Sequence, residues 1–390
     1  MYLLLQSKTI DPERLCMKIL TIGGATQDIF IAYEGSDVMS IAKKNLVATY
    51  MLFESGEKIE IDTLSYQTGG GATNAAVAFK RLGFEVSCFA ALGNDPAGLS
   101  ILKDLEKDAV SIDQIATSKD HATGTSFIVN SRNGERTIFA FRGANGFLDR
   151  KNIPFDYIKT CDQIYITSLS NQSAQLLPEI ASFAKQHNIP VAINPGTSQL
   201  TKNTQSLKES LKSIDILILN SSEARTFMIA LVAQDQKYRE ALESSSSQKP
   251  CGVNMNNEQA YLLTNPLSHI DFYFSIQKFF TAVLAMGPKI VVITNGCNGV
   301  YVATQEEILF HPSIKVSVVN SVGAGDAFGS CFVASLRLGD ALEDALRHGI
   351  INSASVLTTL GAKPGLLTRT QLNEKMQKLP KNLIQRFSHK

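Results

Sequence analysis

The chain has 390 residues, 19% of them charged, and a formal net charge of +1 at pH 7. This length permits a large core, and the near-zero net charge provides no basic stripe for nucleic acid. Without an apolar run of ~18 residues or a C-x-x-C pair among its six cysteines, the chain is expected to be cytoplasmic, reduced and free of membrane partners.

Strand-like and helix-like blocks alternate from Lys18 to Ala362 without a clear linker, which predicts one large α/β domain. Near-continuous apolar runs, such as Ile214–Leu219 and Ile290–Ile293, are typical of buried parallel strands, so a mostly parallel central sheet is expected. We place the domain at residues 17–367, with an N-terminal tail at 1–16 and a C-terminal helix or tail at 368–390.

Two stretches, at about 29–66 and 123–142, interrupt this alternation with short strand-like segments. In the second stretch, Thr125–Asn130 alternates between polar and apolar residues, an Asn-Gly pair follows at 133–134, and Arg136–Phe141 returns. An Asn-Gly pair between two such runs predicts a β-hairpin.

A third stretch, at about 231–285, also departs from the alternation. Its segment Ser244–Gly252 has the composition of a loop. A surface insertion is the simplest interpretation, and a specificity loop or a partner-binding loop is the alternative.

A glycine turn opens a predicted helix within Gly69–Gly83, and Asn74 lies one turn into that helix. The glycines let the backbone approach a ligand closely. The Asn74 amide can both donate to and accept from hydroxyl groups, as a polyol ligand requires.

A second small-residue turn, Gly323–Gly325, places Asp326 before an apolar helix predicted at Ala327–Leu338, with Gly339 at its C-terminal end. The free amides of such a turn and the helix dipole form an anion site. A carboxylate beside an anion site suits a group transfer in which the carboxylate handles a proton. The alternative is a turn whose Asp only caps the helix.

The two glycine turns, in this order and about 250 residues apart, resemble the two signatures of the ribokinase-like (PfkB) carbohydrate kinase family. Other segments are similar to further landmarks of that family: Lys18–Asp28, Ala90–Gly98, Asn194–Gly196, Leu219–Glu223, Val291–Val300, Asn352 and Gly361–Ala362. The resemblance covers about Met17 to Leu367. It implies a three-layer α/β sandwich with a mostly parallel central sheet and a small β lid, formed by the two interrupting stretches, over the sugar.

The resemblance also implies a role for each matching residue, with Asp28 expected at the end of the first strand. The catalytic positions are Asp326 as general base and Gly323, Ala324 and Gly325 at the phosphate. The substrate-binding positions are Asp28, Gly70, Gly71, Asn74, Arg142 and Asn194. The ATP-binding positions are Asn220, Glu223, Thr294, Gly296, Gly299 and Asn352. Glu223 would also hold Mg²⁺ through water, so ATP and Mg²⁺ are the expected cofactors, although capping of a helix would equally explain Asn220 and Glu223.

Two positions depart from the family pattern. Asn320 stands where the family usually has Asp, which belongs to the monovalent-cation site of K⁺-activated relatives, so activation by K⁺ is doubtful. Gly71 stands where ribokinases proper carry Lys, which puts ribose specificity in doubt.

The leading hypothesis is therefore an ATP-dependent kinase acting on the hydroxymethyl group of a sugar, and a nucleoside kinase of the adenosine type is the alternative. Phe127 and Phe139 could stack on a base, although such aromatic residues more often pack within a hairpin. No Lys or Arg cluster near Asp28 or Asn74 announces a second phosphate site, which argues against phosphorylated sugars.

Other classes of protein are less well supported. An NAD-dependent oxidoreductase would need a G-x-G-x-x-G motif after the first strand, and none follows. A catalytically silent sugar-binding or nucleotide-binding regulator on the same fold stays open because of Asn320 and the long third stretch. A homodimer formed through the lid is a further expectation.

Overall fold

The computed structural model describes residues 17–32, 37–43, 46–130, 136–235, 237–242, 260–269, 272–380 and 382–389. The predicted tail at 1–16 and the 244–252 segment therefore lie outside the described residues. Of the helices in these ranges, none is long and apolar enough to cross a membrane.

A nine-stranded sheet forms the centre of the molecule, in the order β19-β18-β17-β16-β13-β12-β11-β1-β6. Its strands are Lys18–Ile22 (β1), Glu85–Phe89 (β6), Gln163–Ile166 (β11), Val191–Ile193 (β12), Ile216–Asn220 (β13), Ile290–Thr294 (β16), Val300–Ala303 (β17), Ile308–His311 (β18) and Gln385–Phe387 (β19). The six strands from β16 to β6 pair in parallel, and the remaining edge is antiparallel. The predicted mostly parallel sheet is confirmed.

Helices cover both faces of this sheet. They are Gly71–Arg81 (α1), Pro96–Lys107 (α2), Phe155–Ile158 (α3), Leu177–Gln186 (α4), Thr197–Leu200 (α5), Thr204–Ser210 (α6), Ser221–Gln234 (α7), Lys237–Leu242 (α8), Tyr261–Thr264 (α9), Ile276–Leu284 (α10), Ala324–Arg337 (α11), Leu342–Leu357 (α12) and Arg369–Gln377 (α13). Successive strand residues point to opposite faces, so Leu217 and Leu219 join the core under α4, α7 and α10, whereas Ile218 joins the core under α1, α11 and α12. The result is the expected three-layer sandwich.

A second sheet of four strands, which we call the lid, has the order β10-β9-β2-β5. Its strands are Thr26–Ala32 (β2), Thr63–Gly69 (β5), Gly124–Asn130 (β9) and Arg136–Phe141 (β10). The hairpin predicted between β9 and β10 is confirmed by its antiparallel register, whereas the Asn-Gly turn lies outside the described residues. Smaller two-stranded sheets pair Asp37–Lys43 (β3) with Leu46–Leu52 (β4), Ala91–Gly93 (β7) with Ala116–Ser118 (β8), and Leu267–His269 (β14) with Phe272–Phe274 (β15).

Three local predictions need correction. Asp28 does not end the first strand: β1 stops at Ile22, and Asp28 lies inside β2 of the lid. The third irregular stretch is not a surface insertion throughout, because α10 buries Phe279 and Phe280 in the core. The C-terminal segment is more than a helix and a tail, since β19 adds a strand to the central sheet.

Candidate active site

A cleft of 360 Å³ lies between the inner face of the lid and the large sheet domain. The lid contributes Thr26, Asp28, Ser126, Ile128, Ile138, Ala140 and Arg142, and the rest of the chain contributes Gly24, Gly70, Gly71, Asn74, Asn145, Ser168, Ser170, Val322, Gly323 and Asp326. The predicted carboxylates, the amide and both glycine turns therefore meet in one concave site.

The side chains of Asn74 and Asp326 meet at the bottom of this cleft, although 252 residues separate them. The Asn74 Nδ2 donates to the Asp326 Oδ2 at 2.8 Å. Burial raises the pKa of Asp326, the hydrogen bond from Asn74 opposes this change, and the charge of Asp28 adds to it. The Asn74 Oδ1 is buried and has no hydrogen-bond partner among the described residues. Asn74 thus orients the carboxylate and keeps one acceptor for a ligand.

The N-terminus of α11 carries the features of an anion site. Gly323 is the residue before the helix, with a left-handed φ of 79°, and no side chain caps the helix. A Cβ at Gly323 would lie 2.3 Å from the Ala362 Cβ, so only glycine fits there. Within the described structure, a Cβ at Gly325 would have no heavy atom within 4 Å. The helix begins at Ala324, three residues earlier than predicted, so Asp326 lies in its first turn. The first amides of the helix therefore face open space.

Asp28 lies on the inner face of the lid and is nearly buried. It accepts a hydrogen bond from the Thr26 Oγ1 at 2.9 Å. Burial raises the pKa of Asp28, while hydrogen bonds from Thr26 and Ser126 and the charge of Lys363 lower it. The Asp28 carboxylate borders the cleft, as a group that binds sugar hydroxyls must.

The two positions that depart from the family pattern, Gly71 and Asn320, have defined surroundings in the fold. At Gly71, a Cβ would lie 2.7 Å from the Thr167 Oγ1, so Thr167 occupies the space that a side chain would need. The Asn320 Oδ1 accepts from the Val322 amide at 3.0 Å. The Asn320 Nδ2 is buried without a hydrogen-bond partner among the described residues.

The predicted ATP-side residues Asn220 and Glu223 form a capping box at the start of α7. The Asn220 Oδ1 accepts from the Glu223 amide and the Glu223 Oε2 accepts from the Asn220 amide, each at 2.8 Å. Burial raises the pKa of Glu223, the bonds from Asn220 and Asn194 oppose this, and the Asp326 charge adds to it. The capping alternative is thus what the structure shows, and the same carboxylate is close enough to Asp326 to interact with it.

Asn194 lies with Glu223 rather than in the cleft. Its Nδ2 donates to the Ile218 carbonyl at 2.9 Å and approaches the Glu223 Oε2 at 3.5 Å. It does not line the space near Asp28 and Asp326. The predicted substrate contact of Asn194 is therefore not supported by its position.

Thr294 is the last residue of β16, and the turn that follows contains Gly296 and Gly299. Gly296 and Gly299 have positive φ values of 53° and 89°. A Cβ at Gly296 would meet no described heavy atom within 4 Å, whereas one at Gly299 would lie 2.4 Å from the His311 carbonyl oxygen. Gly299 therefore shapes the turn, and Gly296 leaves open space beside it.

Asn352 is not available to ATP. It is buried in α12, where its Nδ2 donates to the Ala327 carbonyl at 2.9 Å and its Oδ1 accepts from the Leu367 amide at 2.9 Å. The amide is used at both ends to tie α11 to the chain after α12. The predicted role of Asn352 in ATP binding is therefore not supported by its position.

A buried lysine behind the cleft was not predicted. The Lys363 Nζ donates to the Thr68 Oγ1 at 2.8 Å, and the Thr68 Oγ1 donates to the Asp104 Oδ2 at 2.7 Å. Burial lowers the pKa of Lys363, and the charges of Asp104, Asp108 and Asp28 oppose this change. This chain of contacts joins the loop beside Gly323 to the end of lid strand β5. In the sequence, the one feature that pointed to this lysine was its place directly after a Gly-Ala pair.

Comparison with known proteins agrees with this geometry. The family model "pfkB family carbohydrate kinase" matches residues 36–250 and 255–369. The ribokinase of Staphylococcus aureus is 26% identical over 329 residues, covering 82% of this chain and 92% of that protein. The bifunctional ribokinase/ribose-5-phosphate isomerase A of Fructilactobacillus sanfranciscensis is 24% identical over 316 residues, which is 80% of this chain but only 51% of that protein. The structure of Arabidopsis thaliana ribokinase complexed with ribose and ATP superposes with a TM-score of 0.69 at 19% identity, covering 94% of this chain and all of the other.

Proposed function

The chain belongs to the PfkB family of carbohydrate kinases, and we propose that it transfers the γ-phosphoryl group of ATP to the hydroxymethyl group of a sugar. The observation that carries this proposal is the 2.8 Å bond between Asn74 and Asp326 at the point where the free N-terminus of α11 enters the cleft. One point of the molecule thus offers a proton acceptor and an anion site side by side, which is what phosphoryl transfer requires.

In the proposed step, Asp326 acts as the general base. Its carboxylate accepts the proton of the sugar hydroxyl while the hydroxyl oxygen forms a bond to the γ-phosphorus. The bond between that phosphorus and the bridging oxygen breaks, and the electron pair leaves on ADP. The raised pKa of Asp326 suits this task because it brings the pKa of the carboxyl group closer to neutral pH, where proton acceptance is most effective. Asp28 and the free Asn74 Oδ1 accept hydrogen bonds from other sugar hydroxyls.

The residues present fit a Mg²⁺-bound nucleotide. Open space beside Gly325 and beside Gly296 accommodates phosphate groups without displacing a side chain. In the described part of the chain no group of three His, Cys, Asp or Glu side chains could hold a metal ion. This agrees with Mg²⁺ that is held mainly by phosphates and water, with one protein carboxylate such as Glu223 orienting the water. The bound ion would neutralise charge on the phosphates.

A sugar is favoured over a nucleoside by the direction of the lid aromatic residues. The inner face of the lid presents Ser126, Ile128, Ile138 and Ala140 to the cleft. Because side chains alternate along a strand, Phe127 and Phe139 lie on the opposite face. They are 42% and 54% exposed. The hypothesis that these two rings stack on a base is therefore wrong.

The outer face of the lid supports a homodimer. Phe139 lies opposite Phe127, Phe127 opposite Ile29, and Ile29 opposite Tyr66, so one apolar row crosses all four strands. The three aromatic residues of this row are exposed, whereas Ile29 is nearly buried. Exposed apolar patches mark interaction surfaces, and we assign this one to a second copy of the chain. Light scattering at micromolar concentration should give a dimer, and Phe139→Asp should give a folded monomer. A monomeric parent would contradict the assignment.

The kinase proposal is tested by incubating the protein with ATP and Mg²⁺ and a panel of neutral sugars, anionic sugars and nucleosides, with ADP release and the phosphorylated product both measured. We expect a product phosphorylated at a hydroxymethyl group. ATP binding without transfer to any acceptor would instead support the regulator, and transfer to adenosine alone would support the nucleoside kinase.

A further inference from the structure

The cleft has a positively charged end that the proposed transfer does not use. Arg142 lines the cleft just after lid strand β10. Its guanidinium pairs with no carboxylate in the described part of the chain, whereas Arg81, Arg150 and Arg369 each form an ion pair. Arg142 is an exposed residue at the border of the cleft, so its unpaired guanidinium can bind a hydrogen-bond acceptor of a ligand.

The strand register places Arg142 far from the phosphoryl-transfer point. Arg142 lies beside Gly124 at the base of edge strand β10, whereas Gly69 lies at the base of the opposite edge strand β5. Three strand spacings separate the two edges, so the Cα atoms of Arg142 and Gly69 are about 14 Å apart. Gly69 leads directly into α1, whose Asn74 is bonded to Asp326. A substrate whose hydroxymethyl group lies at Asp326 would therefore extend its other end towards Arg142.

Hydrogen-bond donors surround this end of the cleft. Ser168 and Ser170 line the cleft after β11. The turn that follows Arg142 packs on the segment after Ser170, because the Ser173 Oγ donates to the Asn145 carbonyl at 2.8 Å. The guanidinium and the two serine hydroxyls thus line the same cleft as the carboxylate of Asp326, and Ser170 lies next to the segment that packs on the turn after Arg142.

From these positions we infer that the acceptor substrate carries an anionic group, a carboxylate or a phosphate, at the end remote from its hydroxymethyl group. A guanidinium with hydroxyl donors matches a group that only accepts hydrogen bonds. A neutral ligand that covered Arg142 would remove its charge from water without compensation, which is costly. The absence of a Lys or Arg cluster near Asp28 and Asn74 in the sequence argued against this class, because Arg142 is distant from both residues along the chain. The inference rests on the proposed kinase function and narrows its substrate.

Two matched pairs of acceptors test the inference: D-ribose with D-ribose 1-phosphate, and D-glucitol with D-gluconate. We expect the parent to favour the anionic member of at least one pair by tenfold or more in kcat/KM. The pair that shows this preference tells whether the anion is a phosphate or a carboxylate. Arg142→Met should lower kcat/KM for that acceptor by ~10- to 100-fold, the range for a hydrogen bond to a charged group. The ratio of kcat/KM for the anionic acceptor to that for the neutral acceptor should therefore fall at least tenfold. Arg150→Met, which removes an ion pair with Glu179 outside the cleft lining, is the control.

Equal or better use of the neutral members by the parent would overturn the inference. So would an Arg142→Met variant that loses activity equally with all acceptors and binds ATP more weakly, because Arg142 would then act on the transferred phosphate. If neither protein phosphorylates any acceptor, the kinase proposal itself fails. Calorimetric titration with D-ribose 1-phosphate and with D-gluconate then decides the anion site alone: binding that Arg142→Met abolishes supports it, and absent or unchanged binding overturns it.

Discussion

Replacing Asp326 by Asn tests the centre of the mechanism with the smallest change of shape. The amide oxygen of Asn can still accept the 2.8 Å hydrogen bond from Asn74, so the pair should keep its geometry. The variant loses only the ability to take up a proton. We therefore expect kcat to fall by ~10²- to 10⁴-fold, the usual contribution of a general base. The KM values for ATP and for the sugar should stay within about threefold.

The same substitution, which lowers kcat, should leave the stability of the fold unchanged or raise it at neutral pH. The folded state raises the pKa of Asp326 above its ordinary value of 3.8, so the folded state binds this proton more tightly than the unfolded chain. The ionised carboxylate therefore opposes folding at neutral pH, and this cost disappears as the pH falls below the ordinary value. Asn carries no charge at either pH. The variant should have a Tm at or above that of the parent at pH 7–8, and the gain should shrink towards pH 4.

The assay combines initial rates of ADP release with thermal unfolding from pH 4 to 8. Asp95→Asn is a suitable control, because Asp95 also lies at a helix start but outside the cleft lining. Burial acts to raise the pKa of Asp95, but hydrogen bonds from Thr123 and Gly98 outweigh burial and lower it. Asp95→Asn should therefore lose stability at neutral pH with little change in kcat. If Asp326→Asn keeps turnover within about threefold of the parent, Asp326 is a helix cap and the proposed mechanism is wrong.

Three further substitutions have defined outcomes. Gly325→Val should fold normally, since its Cβ meets no described atom within 4 Å, yet raise the KM for ATP at least tenfold by filling the anion site; unchanged ATP kinetics would exclude that site. The parent should show equal rates in KCl and NaCl, and Asn320→Asp should become K⁺-activated because hard cations prefer charged oxygen ligands; strong K⁺ activation of the parent would contradict this. Burial lowers the pKa of Lys363, so the Tm of the parent should rise relative to that of Lys363→Met as the pH rises from 7 towards 10.5. A Tm difference that does not depend on pH would refute a buried amine that titrates.

Short-range chemistry could be predicted from the sequence. A glycine turn before an apolar run indicates a helix N-terminus, and both α1 and α11 begin at such turns. The β9–β10 hairpin follows from alternation around an Asn-Gly pair. In each signature the polar residue follows its glycine turn at a fixed distance along the chain. Asn74 and Asp326 therefore come together when the two helices begin at the same edge of one sheet.

Positions that depend on long-range pairing could not be predicted. The sequence pattern from Lys18 to Asp28 resembles one continuous strand, so it assigns Asp28 to β1. In the structure this segment is broken at Gly23–Gly24, and Asp28 belongs to β2. The role of Asn352 depended on partners at Ala327 and Leu367, which packing of α11 and α12 supplies. The resemblance already placed Arg142 at the substrate, but only the register of the lid strands shows which edge of the cleft it lies on. In each case the deciding contact joins residues that local sequence patterns do not relate.

Three partly or fully buried carboxylates, two in the cleft and one beside it, favour a nucleotide that brings Mg²⁺ to their side of the site. Asp28, Glu223 and Asp326 all have raised pKa values with burial as the largest cause, and the charge of Asp28 raises the pKa of Asp326 further. A protein selected for stability alone would carry amides at these positions, as it already does at Asn320. Burial of these carboxylates lowers the stability of the ligand-free protein. This loss of stability is offset when a Mg²⁺-bound nucleotide binds on the Glu223 side. Arg142 stands apart from these three charges, and this separation leaves its guanidinium free for the substrate instead of for a carboxylate of the chain itself.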